Sequence, residues 1–247
     1  MKFITILFVA LLSSQAFAGC ENMVPFGKPV VTVTEKVTYL CRRMYVLEHS
    51  PSRKTAYWSA EHLIGSQQTF KGDRKNAFKT DPDLPKSEAA KPSDYTGTGY
   101  DRGHMSPVGD MYADPKAMLE SFYMSNMVPQ IPENNENGWR LLEQFVKELS
   151  QARGELYVIT GPIYFGSIKY IGKSKVAIPT YLYKIVYDPK TNATMSFIFP
   201  NKPITQNDIP NGITTLAKIE AGTHIKFFPN IKSPVVESTH IWTSKTN

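Results

Sequence analysis

The chain is poor in the residues from which many metal and redox sites are assembled. Its 247 residues include only two cysteines and five histidines. There is no CxxC pair and no Cys/His cluster, which removes structural zinc and a catalytic dithiol. No HExxH occurs among the histidines, which disfavours a zincin protease, and no GKT or GKS marks a P-loop. Beyond the N-terminus no apolar run is long enough to cross a bilayer. Internal repeats and obvious linkers are also missing, so one sizeable domain with its own core is expected.

The N-terminus carries a distinct pattern. Met1-Lys2 precedes an apolar stretch from Phe3 to Leu12, and Ala16-Phe17-Ala18 follows. A positive start, a short apolar core and an A-x-A site describe a secretory signal peptide over residues 1–18 rather than a membrane span. The mature domain then covers 19–247, secreted or periplasmic. Both cysteines, Cys20 and Cys41, fall within it. In an oxidising compartment an even count favours their pairing as a disulfide, which contributes on the order of 3 kcal/mol for so short a loop. Lipidation of Cys20 is the less favoured outcome, because Phe17 stands where such a site usually carries leucine.

The formal net charge of +6 suits polyanions such as nucleic acid or an anionic envelope. Alternation rich in Val, Thr and Tyr from Val30 to Leu47 predicts two short strands, with another over Tyr57–Ala60. A long polar loop is expected between Gly65 and Gly99, a length more often functional than idle. Asp114-Pro115 caps a short helix through Phe122, and a second helix runs from Asn134 or Asn135 to about Ala152, with Gly154 available to end it. Strands are expected over Leu156–Gly161, Val176–Tyr187 and Thr194–Phe199, and a last helix near Thr214–Ala221. The class is α+β, with a central, mainly antiparallel sheet flanked by helices.

The chemistry concentrates in Asp101-Arg102-Gly103-His104. An imidazole titrating near neutrality can take a proton from water, and a guanidinium can grip a phosphodiester. The glycine lets the backbone approach a substrate. Alone, four residues are weak, and a surface ion pair beside a turn explains them equally well. Downstream lie Ser125-Asn126 with Pro129-Gln130, then Asn135, Trp139 and Glu143 at intervals of four, one drifting stripe on a helix.

Taken in order, DRGH, SN-x-x-PQ and N-x-x-x-W-x-x-x-E resemble the DNA/RNA non-specific endonuclease family. Leu156 to Pro162, Ile178-Pro179-Thr180, Tyr183-Lys184 and Ile219-Glu220 extend the likeness from about Tyr45 to Phe228. It implies a ββα-metal (His-Me finger) site in a single nuclease domain that cuts DNA and RNA without sequence specificity. It also implies His104 as general base, Asn135 as the direct ligand of magnesium, with manganese as an alternative, and Glu143 holding metal-bound water. The products implied are 5′-phosphates. Arg102 is expected on the scissile phosphate, with Arg74, Arg140 and Lys147 binding substrate and Asn126 and Asp101 supporting the site. Lys147 departs from the family's frequent arginine and loses its bidentate fork. Without the resemblance, Asn135 reads as a helix N-cap and Glu143 as an exposed charge. The rival function is a catalytically inactive surface protein for nucleic-acid capture or uptake, which export and basic charge fit as well.

Overall fold

A computed structural model describes residues 20–74, 76–233 and 235–242. The expected signal peptide lies outside these residues. The central sheet runs in the order Ile213–Thr214, Ala193–Pro200, Tyr181–Asp188, Glu155–Ile163, Thr55–Ile64, Tyr45–Ser50 and Thr38–Cys41, each neighbour antiparallel. A short segment, Val236–Glu237, adds parallel to Ala193–Pro200. Helices α1 (Pro115–Glu120), α2 (Arg140–Arg153) and α3 (Leu216–Thr223) complete the α+β arrangement.

Period-two alternation sorts the sheet into two faces. Leu156, Val158, Leu182 and Val186 pack under α2, which contributes Leu142, Val146 and Leu149. Tyr183, Ile185, Tyr187 and Ile159 turn to the opposite face, against Leu216 and Ile219 of α3. Burial of each such aliphatic side chain contributes about 2 kcal/mol, so the sheet fixes α2 firmly. Cys20 and Cys41 are joined as a disulfide, their Cα atoms 5.9 Å apart, and this ties the start of the described chain to the Thr38–Cys41 strand.

The expected strand over Val176–Tyr187 is two strands in separate sheets. Val176–Ile178 pairs with Lys169–Ile171 in a small hairpin, and Tyr181–Asp188 joins the main sheet. Pro179, which has no N–H to donate, sits at the break. The Gly65–Gly99 stretch is irregular as expected and is clamped at Asp81. There the buried Arg42 guanidinium donates to both carboxylate oxygens at 2.6 and 2.7 Å, and Ser125 Oγ donates to Oδ2. Asp114 caps α1 by accepting from the amides of Lys116 and Ala117, and Gly154 ends α2 at φ 92°.

Candidate active site

Asp101-Arg102-Gly103-His104 is a strand, paired antiparallel with Met127–Gln130 so that His104 faces Met127 and Asp101 faces Gln130. This hairpin followed by α2 is a ββα unit. A Cβ on Gly103 would fall 2.0 Å from Gln130 Oε1, so the glycine is demanded by the neighbouring strand's side chain. Gln130 is itself buried and donates through Nε2 to Asn134 Oδ1 at 2.7 Å. Asn134 in turn donates to the carbonyls of Pro200 and Lys202 at 2.9 and 2.8 Å.

The entry into α2 is wider than an α-helix. Residues Asn134–Trp139 form a π-helical turn, a feature that recurs at functional sites. It sets Asn135 at the cavity and still buries Trp139 completely, 5.2 Å beneath the Lys184 ammonium. Asn135 Nδ2 donates to Asp101 Oδ2 at 2.9 Å. An ionised carboxylate only accepts, so this contact fixes which end of the amide faces Asp101 and leaves Oδ1 turned away from it. Asn135 is therefore oriented by the first residue of the DRGH strand.

His104 is 8% exposed, its ring lying 5.8 Å from Phe78 and edge-on to Phe122 at 5.2 Å. Burial, with Arg74 adding to it, pushes its pKa down to about 3, so the imidazole is neutral across the physiological range. Its Nε2 is shut away from solvent and has no hydrogen-bond partner. Both His104 and Asn135 line one cavity of about 480 Å³, together with Asp101, Arg102, Arg74, Arg140, Glu143 and Lys147. Eight of the residues expected at the site thus share a single chamber.

Their present contacts differ. Arg102 Nη2 donates to the Pro92 carbonyl at 3.0 Å and its guanidinium lies 5.1 Å from the Phe78 ring, so it does not pair with Asp101. Arg74 is held by Asn76 Oδ1 at 2.9 Å and Arg140 by the Glu136 carbonyl at 2.8 Å. Lys147 donates to the Gly109 carbonyl, with the Tyr112 ring 5.5 Å away. Asn126 is fully buried and stands back from the chamber. It donates to the carbonyls of Ser106 and Ser121 at 2.8 and 2.9 Å and accepts from the Ser106 amide at 3.0 Å, pinning the chain just beyond His104.

Sequence reasoning missed a charged layer at the chamber, in which Asp110 lines the cavity. Glu61 and Lys184 are 1% exposed, and Asp110 is 5% exposed. Burial pushes Asp110 up to about 6, opposed by Lys147 and Lys184, and pushes Glu61 well above the carboxylate range. Glu143 is raised to about 7 by burial, with Lys184 opposing and Asp110 adding. The Trp139 indole N–H faces Glu143 without completing a hydrogen bond. Lys184 Nζ donates to Thr160 Oγ1 at 2.7 Å. The signal available in sequence was Glu61 and Lys184 on strands, at positions where alternation calls for an apolar residue.

The cavity suits a cation held by few protein atoms. Among the described residues no group of three or more His, Cys, Asp or Glu is placed to hold a metal. The free amide oxygen of Asn135 with Glu143 nearby fits a hard, water-rich ion of the magnesium type. The model of the DNA/RNA non-specific endonuclease family matches residues 23–233. The chain belongs to that family. It is 34% identical over 228 residues to Nuclease C1 of Cunninghamella echinulata var. echinulata, covering 85% of this chain and 89% of that protein. It is 34% identical to the mitochondrial nuclease EXOG of Danio rerio, over 76% of this chain. Only 60% of that relative is spanned, and 61% of the Xenopus laevis one. A chain in a crystal structure of the EndoG/EndoGI complex superposes with a TM-score of 0.78 at 27% identity, covering 86% of this chain and 92% of that one.

Proposed function

We propose that this chain is an exported, magnesium-dependent endonuclease that hydrolyses DNA and RNA phosphodiester bonds without sequence or sugar specificity. The observation that carries the reading is that a neutral imidazole and an amide oxygen freed by Asp101 line one cavity. Family membership supports the substrate class, and the predicted signal peptide and the pairing of Cys20 with Cys41 support export.

The His104 imidazole takes a proton from water as that oxygen bonds to phosphorus, and the bond from phosphorus to the 3′ oxygen breaks. The phosphate stays on the 5′ end of one product, and the departing 3′ oxygen takes a proton from solvent water to become the hydroxyl of the other. Asn135, with Glu143 beside it, would hold a divalent cation, which would supply charge neutralisation at the phosphate and the departing oxygen. Manganese is the alternative ion. Arg102, Arg74, Arg140 and Lys147 exchange their present partners for phosphate oxygens. Contacts of that kind position the backbone without reading bases, so selectivity is poor and cleavage weakens as salt rises.

Depression of the His104 pKa does not disable it. A phosphodiester entering the cavity brings negative charge beside the ring and offsets Arg74, which raises its basicity when substrate is present. The test is plasmid nicking by purified mature protein with and without chelator, beside His104→Ala and Asn135→Ala. Loss of nicking in both folded variants and in chelator is expected. Full activity in folded His104→Ala discards the assignment, and nucleic-acid binding without turnover in the wild type supports the capture protein instead.

A further inference from the structure

Helix α2 has a second open face that the phosphodiester chemistry leaves unused. Arg140, Gln144 and Lys147 line the chamber, at steps of four and three along the helix. Leu141, Phe145 and Glu148 repeat those steps one residue on, which puts them about 100° further round the helix. There they line a separate groove of about 380 Å³, and Gln144 lines both. Chamber and groove therefore meet along one ridge of α2.

The rest of the groove comes from segments beyond the Ala193–Pro200 strand. Gln206 starts a 3₁₀ turn, Gln206–Asp208, then Ile209 and Pro210 follow, and Ile241 adds to the lining. Ile209 is buried in the core that also receives α2, and Leu141, Phe145 and Ile241 pack against that core with part of their surface open. Gln144, Gln206 and Glu148 supply the polar lining, and among the described residues no lysine or arginine does. Gln144 Nε2 donates to Glu148 Oε1 at 2.9 Å, so its own carbonyl oxygen is left to accept.

The chamber on the other side of the ridge is lined by Arg74, Arg102, Arg140 and Lys147. A nucleotide divides in the same way, into an anionic phosphate and a flat, uncharged base with apolar faces and hydrogen-bonding edges. The groove's volume falls among small-ligand sites, which span roughly 300–1,000 Å³. Bases drawn out of a strand are held by stacking on aromatic rings and by hydrogen bonds to their edges.

Resting on the endonuclease reading, we propose that the groove is a nucleobase subsite, taking the unpaired base of a nucleotide whose phosphate is gripped by Arg140 or Lys147. Phe145 and the aliphatic walls cover the base, and Gln144 and Gln206 meet its edge. Each carboxamide carries donors and an acceptor, so the subsite holds any base without reading sequence. A base still paired within a duplex does not enter. Single-stranded DNA and RNA, and frayed ends, thus gain a contact that intact duplex lacks.

The test compares the purified mature protein with Phe145→Ala and Gln206→Ala. Gln206 is exposed and lies off α2, so its replacement leaves the helix in place. Anisotropy is read in chelator, where no turnover occurs, for fluorescent oligothymidylate, an abasic strand of equal length and a duplex. The wild type is expected to prefer oligothymidylate to the abasic strand. Phe145→Ala should reduce that preference about ten-fold and Gln206→Ala by less, with abasic strand and duplex bound as before. An undiminished preference in both variants overturns the subsite, as does a loss that falls alike on all three ligands in both. A change confined to oligomeric state marks the groove as a contact between copies of this chain, and also overturns it. Plasmid nicking by the wild type, measured alongside, separates any such failure from failure of the endonuclease reading.

Discussion

Glu143→Gln should stabilise the fold at alkaline pH while removing activity. Burial holds the Glu143 carboxyl near 7 against an ordinary value of 4.5, with Lys184 opposing the rise and Asp110 adding to it. A group raised on folding gives its full contribution below the unfolded value and loses it as pH rises through the folded one. A tenfold change in proton affinity corresponds to about 1.4 kcal/mol, so ionisation at pH 8 costs the fold up to about 3 kcal/mol. Glutamine has the shape of the neutral form and no proton to lose. Contacts changed by the amide are common to all pH values, so the informative quantity is the change in the variant's advantage. Between pH 5 and pH 8 that advantage should grow by roughly 2 kcal/mol. Urea unfolding of both proteins in chelator, at both pH values, measures it directly. An advantage that stays constant or shrinks toward pH 8 refutes the assignment of Glu143 as a carboxylate strained by its surroundings.

Gly103→Ala should cost about 1–3 kcal/mol in stability and displace His104, because its Cβ would meet Gln130 Oε1 at 2.0 Å. Thermal unfolding and the nicking rate read the two effects, and pairing it with Gln130→Ala should restore part of the stability. Reduction of the Cys20–Cys41 disulfide, which closes 21 residues of sequence separation, should lower stability by about 3 kcal/mol in the loop-entropy account. Nicking measured well below the unfolding temperature should persist, since neither cysteine lines the cavity.

Much of the architecture follows from local sequence. Alternation marks the Glu155–Ile163 and Ala193–Pro200 strands, and Asp114 and Gly154 mark helix ends through their capping chemistry. The hairpin at the heart of the site is less visible. Arg102-Gly103 faces Pro129-Val128, and glycine and proline are poor strand formers, so only the tertiary pairing makes these segments strands. The π-helical turn is invisible to spacing arguments that assume four-residue steps, yet it decides where Asn135 stands. The same holds for Asp101, whose task as the partner of the Asn135 amide depends on two segments 34 positions apart in sequence. The charged layer of Glu61, Asp110 and Lys184 is gathered from two central-sheet strands and a 3₁₀ turn, and only the folded arrangement brings it under Glu143.

Anomalous diffraction from crystals of His104→Ala soaked with manganese and a short oligonucleotide decides whether residues 104 and 135 converge on one phosphate. One strong peak bonded to Asn135 Oδ1 is expected, with a phosphodiester between it and the position vacated by the imidazole. A peak bonded elsewhere, or a phosphate bound away from residue 104, contradicts it.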